Sequence, residues 1–205
     1  METEAKKSDR RLGVIVLLLA VVAVAAFILF APPDRSDDEM IGHVNHESVT
    51  LQRFEEEILL QRVRNRMANR PDQEDNPGES LNQLIRDLLM LQEAAEMEVA
   101  VEQAEVDSEI EAVLNRVNTS RAEMNELLAD EGLDWDVFER SIRDYLTLDS
   151  FLEDVLLAEV PSADRGIIMR DWISQSYALA DIEFDEDFLE EINTGNLLLT
   201  QGQEG

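Results

Sequence analysis

His43 and His46 stand three residues apart as H-V-N-H, and Glu47 follows them, so two imidazoles and a carboxylate fall within five residues. A zinc site takes four ligands, or three and a water. The chain has two His and no Cys to draw on, so the trio reads as turn and edge-strand residues, and no metal is expected. The acidic runs "DRSDDE" (34–39), "FEEEI" (54–58) and "DEDFLEE" (185–191) offer oxygens. They lack the alternating ligands and the glycine of a calcium loop, and they read as solvated faces. Serines and threonines have no positioned His or Lys base to activate them, and no glycine-rich phosphate loop occurs. No catalytic residue and no cofactor is therefore expected. What remains is binding chemistry. Met67, Met90, Met97 and Met124, with Trp135 and Phe138, are flexible thioethers and flat rings of the kind that accept varied apolar partners. At helical spacing the same residues also serve as core filling.

These side chains sit in a chain that reads as mainly α. Before the helices, Ile41, Val44 and Val49 mark two short extended runs, with Asn45, His46 and Glu47 as the turn between them. Thr50 can cap a helix from Leu51 to about Asn69, with Leu51, Phe54, Ile58, Leu59, Val63 and Met67 along one side. "NRPDQEDNPGE" breaks it, and Ser80 with Gln83 predicts a capping box for a second helix. Leu81, Leu84, Ile85, Leu88, Leu91 and Ala95 give that helix a stripe wide enough to place it at the centre. Val106, Ile110, Val113, Leu114 and Val117 mark a third, and the box Ser120–Glu123 opens a fourth that ends at Gly132. Asp134 caps a fifth, whose predicted buried face is Trp135, Phe138, Ile142, Tyr145, Leu148, Leu152 and Val155. After "EVPSADRG" a last helix centres on Trp172 and Ile173.

Ahead of all this, residues 12–31 form an uncharged apolar run, long enough as a helix to span about 30 Å of hydrocarbon. Lys6, Lys7, Arg10 and Arg11 precede it and acids follow it, which predicts a cytoplasmic N-terminus and an external domain. The alternative is a cleaved signal peptide processed near Ala23-Val24-Ala25, but the run is longer than the usual apolar segment of a signal. The expected organisation is a tail over 1–11, an anchor over 12–31, a linker over 32–40, the domain over 41–192 and a flexible tail over 193–205. The chain holds 46 Asp and Glu against 17 Lys and Arg, and after Lys7 every base is Arg. So negative a surface repels phosphates and excludes nucleic acid as a partner. It also suits work in high salt, where repulsion is screened within a few Å.

The order of these features resembles the N-terminal domain of SurA-type extracytoplasmic chaperones and the related membrane-anchored foldases. The residues that carry it are "VNHESVTLQRFEEEI", "LLMLQEA", "AEVDSEI" and "EGLDWDVF", in that order over residues 41–158. His46 and Glu102 depart from the family's usual residues. The resemblance implies a multi-helix domain closed by its two ends, with the strand pair clasping a closing segment over 167–185, so that Ile41 and Val44 pair near Ile182 and Phe184. Prolyl isomerases of the family carry a parvulin domain between the long helix and the closing segment. Here "AEVPSADRGIIMR" fills that place, too short to fold alone. The resemblance thus implies a chaperone-like binder of unfolded or newly translocated polypeptides, which it takes into an apolar groove between helices without ATP, held at the membrane through residues 12–31. An assembly factor for one dedicated membrane partner is the alternative, and a prolyl isomerase the third reading.

Overall fold

A computed structural model of the chain describes residues 39–71 and 73–192. The expected tail, the anchor over 12–31, most of the linker and the segment 193–205 lie outside these residues. Among the described residues no helix is long and apolar enough to cross a membrane.

The opening stretch forms two strands, β1 (Met40–Val44) and β2 (Glu47–Thr50), and a third, β3 (Ile182–Phe184), joins from the far end of the domain. The sheet order is β2-β1-β3, antiparallel throughout, with Val44 opposite Ile182 and Gly42 opposite Phe184. The predicted pairing of the two ends is the observed one. Gly42 is required by proximity, since a Cβ there would lie 2.3 Å from the Glu183 carbonyl oxygen and 2.5 Å from the Phe184 ring. Asn45 makes the turn with φ 55°, a left-handed conformation that Asn tolerates better than most residues.

Seven α-helices follow among the described residues: α1 (Leu51–Met67), α2 (Pro77–Glu96), α3 (Gln103–Arg116), α4 (Arg121–Asp130), α5 (Trp135–Ser150), α6 (Arg165–Leu179) and α7 (Glu186–Glu191). Thr50 caps α1, its hydroxyl accepting from the Arg53 amide at 3.2 Å. The Ser120–Glu123 box forms in both directions, at 3.2 and 2.7 Å. The predicted Ser80–Gln83 box does not form. Asn76 caps α2 instead, accepting from the Glu79 amide at 3.1 Å, and Pro77 opens the helix one turn earlier than expected. Proline suits that place because the first helical N–H has no intrahelical partner. Ser80 becomes an interior, buried position.

The core has three parts. Ile41, Val44 and Val49 of the sheet meet Leu51 and Phe54 of α1, Leu81 to Leu89 of α2, and Phe184 and Phe188 of the closing segment. Leu60 and Val63 of α1 meet α3, α4 and α5 through Val106, Ile110, Met124, Leu128, Phe138 and Ile142. Met90, Ala94 and Phe151 form a smaller cluster. Helix α2 supplies buried residues to the first and third, which is the central position predicted for it.

Besides Ala95 of α2, which is exposed while Ala94 takes the buried place, three expected core positions are corrected. Tyr145 is 53 % exposed and Val155 40 % exposed. After Ser150 the chain runs on as a π-helical segment, Phe151–Leu156, whose wider turn shifts the buried face, so Phe151 and Leu157 go inward and Val155 outward. Helix α6 is the third case: none of its residues is buried. Trp172 is only partly covered, edge-on to Phe151 with ring centroids 5.8 Å apart. The helix is held at its C-terminal end, where the Tyr177 hydroxyl donates to the Asn82 carbonyl oxygen at 3.1 Å. Burial pushes that hydroxyl up to about 12, so it remains a donor across the physiological range.

Candidate functional site

Helices α1, α2 and α5 do not close on one another along their whole length. Two ion pairs join α1 to α5: Arg53 with Asp144 at 3.1 Å, and Arg140 with the buried Glu56. Beside this seam a cavity of about 370 Å³ opens between the three helices and the loop over 73–76. Ile58 and Leu60 of α1, Leu91 of α2 and Leu148 of α5 give it an apolar lining, and the exposed ring of Tyr145 stands at its edge. The fifth helix turns Tyr145 toward this opening, which is why a residue at core spacing stays uncovered.

The remaining lining is strongly acidic. Glu57, Glu74, Asp75, Glu79, Asp87 and Asp144 border the cavity, against one lining cation, Arg64. Arg64 is engaged with Glu57, while Asp75 is held by Arg62 at 2.6 Å and Asp144 by Arg53. Asp87 accepts a hydrogen bond from Gln83 Nε2 at 2.7 Å. Burial nevertheless raises its carboxyl from the ordinary aspartate value to about 6, and the neighbouring Glu57 adds to the rise. Asn65 and Ser80, which are 6 % and 8 % exposed, also line the cavity.

The six side chains singled out for binding are spread through the molecule, and none of them lines this cavity. Met124 is fully buried, and Phe138 is buried in the same cluster, with Met67 and Trp135 packed against it. Met90 lies in the cluster around Phe151. Only Met97, 54 % exposed, presents a large free surface. Trp135 is stacked by the Arg121 guanidinium at 4.2 Å from the ring centroid. The spacing of these residues, Met97 excepted, reported the core. The cavity's own signal was polar residues set into apolar helix faces: Asp87 among Leu84, Leu88 and Leu91, Asn65 after Leu60 and Val63, and Ser80 before Leu81 and Leu84. Of the two histidines, His43 lies with its Nε2 3.5 Å from the Asp181 carboxylate and His46 is exposed on the turn. Among the described residues no three His, Asp or Glu converge as metal ligands.

The turn has a second role. The Asn45 backbone amide donates to the Asp181 carbonyl oxygen at 2.6 Å, and its side-chain oxygen accepts from the Asp181 amide at 2.9 Å. Its side-chain amide donates to Gln92 Oε1 at 2.8 Å, and Gln92 Nε2 donates to the Val44 carbonyl oxygen at 3.1 Å. One asparagine thus ties the hairpin, the closing segment and the central helix together. The Asn of the turn and the Gln of "LQEA", quoted above as separate marks of resemblance, are in contact.

A helical domain fastened by its own ends, with an open cleft of apolar lining and acidic border, has the build of a binding module. A sequence model of the SurA-like N-terminal domain matches residues 4–152, most of the chain. The chain belongs to that family. Relatives named Chaperone SurA align with it: 26% identity over 139 residues for that of Bordetella pertussis (67% of this chain, 27% of the relative) and 31% over 113 for that of Ralstonia nicotianae (54% and 23%). The protein of Chromobacterium violaceum shows 25% identity over 153 residues (74% and 36%). The chain therefore spans well under half the length of these relatives.

Proposed function

We propose that this protein is an extracytoplasmic, chaperone-like module that holds unfolded or newly exported polypeptide segments in the cleft between α1, α2 and α5, without nucleotide and without catalysis. The observation that carries the reading is the open cleft in a domain of the SurA-like N-terminal family. Apolar burial contributes about 25 cal/mol per Å², so a few side chains seated on Ile58, Leu91 and Leu148 suffice for weak, reversible holding. Residues 12–31 serve as a single membrane anchor with the N-terminus in the cytoplasm. The charge distribution around that run supports this, and the family match, beginning at residue 4, takes in the whole run.

The test is aggregation of a denatured model protein in the presence of the full chain carried in lipid nanodiscs, with empty nanodiscs as the control. Suppression at near-stoichiometric amounts without ATP supports holding. Aggregation that proceeds unchanged across several clients refutes it, and a single defined partner recovered by crosslinking would then favour the dedicated assembly factor. A prolyl-peptide isomerisation rate above buffer would instead establish the isomerase. Topology is tested separately: added protease should digest residues 40–205 in spheroplasts, and carbonate washing should leave the protein in the pellet.

A further inference from the structure

We infer that the cleft selects basic aliphatic segments, chains in which a Lys or Arg flanks Leu, Ile or Val, and this inference rests on the holding function proposed above. The first argument is charge. Six carboxylates border the cavity; Arg64, Arg62 and Arg53 pair with Glu57, Asp75 and Asp144, which leaves Glu74, Glu79 and Asp87 with no ion pair among the described residues. An acidic segment entering the cavity meets uncompensated repulsion, and a purely aliphatic one removes water from Asp87, Glu74 and Glu79 without replacing what it removes. A cation beside an aliphatic side chain fills the apolar lining and offsets the acids together.

The second argument is independent of charge. Asn65 and Ser80 are both more than nine-tenths buried, and both line the cavity. An amide with two donors and an acceptor, and a hydroxyl able to do either, match the N–H and C=O groups of an extended peptide. The cavity's volume, about 370 Å³, is at the lower end of ligand pockets and suits a short segment rather than a folded surface.

The experiment uses the full chain in nanodiscs of uncharged lipid and fluorescent peptides of one aliphatic sequence carrying Lys, Gln or Glu at the flanking positions. At low salt the Lys peptide should bind about tenfold tighter than the Gln peptide, the Glu peptide weakest, with the advantage shrinking as salt rises. Glu74→Gln and Asp87→Asn should each cut the Lys-over-Gln ratio, while Glu111→Gln and Glu126→Gln on α3 and α4 leave it as it was. Glu74 lies on the exposed loop, so its variant keeps the test valid if Asp87→Asn alters folding. Equal binding of all three peptides overturns the selectivity and leaves the holding function standing. Binding of none overturns both. A Lys preference that the four variants reduce equally belongs to the acidic surface at large and overturns the assignment to the cleft.

Discussion

Asp87 shows how a single residue can report a cleft. Its carboxyl is buried beside Glu57, and Gln83, Arg86 and Arg64 relieve only part of the cost, so in the folded chain it holds its proton up to about pH 6 against 3.8 for an ordinary aspartate. Below pH 3.8 it is protonated in both states and contributes no penalty. As pH rises through 6 the native chain must surrender the proton, and that share of stability, about 2–3 kcal/mol, is lost by pH 7. Asp87→Asn should therefore stabilise the protein by up to about that amount at pH 7 and change nothing near pH 3.5. Urea unfolding at the two pH values decides it; a variant equally or less stable at pH 7 would show that Asp87 is favourably ionised. The methionines divide on the same physics. Met124→Lys places an ammonium where there is no exposure and should cost at least about 3 kcal/mol or abolish folding. Met97→Lys, at a surface position, should stay within about 0.5 kcal/mol. Equal melting temperatures for the two variants would contradict this burial.

At the scale of elements, the clasp is concentrated at Asn45. Replacing it with Ala removes its side-chain bonds to Asp181 and Gln92 and leaves a Cβ residue at φ 55°, which should cost about 2–4 kcal/mol. Asn45→Gly relieves the backbone but restores no side-chain bond, so it should recover only part of the loss. Amide exchange in β3 separates local from global effects: it should accelerate more than exchange in α3, and uniform acceleration would mean that the clasp is not a separate unit. The first two strands and the order of the helices were legible because each rests on local chemistry, with turn, cap and period agreeing, whereas the pairing of Val44 with Ile182 followed from the family resemblance alone. The start of α2 was missed because Asn76-Pro77, a helix opening in its own right, was read as part of a breaker. Val155 was misplaced because a 3.6-residue period cannot foresee a π-helical turn. The cleft was legible only in outline: a groove between helices follows from the family resemblance, and Asp87, Asn65 and Ser80 set into apolar faces mark it, but its place depends on how far apart three helices pack, and its acids look in sequence like any solvated face.

For the whole molecule the deciding quantity is the imbalance between 46 acids and 17 bases. The arginines are placed at seams: Arg53 and Arg140 join α1 to α5, Arg66 reaches Glu131 after α4, and Arg165 holds Glu153. Salt acts on both sides of this arrangement. It screens the seams, which are partly exposed pairs worth about 0–1 kcal/mol each, and it screens the repulsion among the many acids left over, which acts over the whole surface and at longer range. The seams are few and short, so relief of repulsion should dominate. The melting temperature of the chain in nanodiscs should rise by roughly 5–10 °C between dilute buffer and 1 M NaCl, where the screening length falls to about 3 Å. KCl should act like NaCl, since the effect is screening and not ion binding. A melting temperature that stays flat or falls would mean that the arginine seams outweigh the repulsion, and with it the link between the acidic composition and a saline setting would be lost.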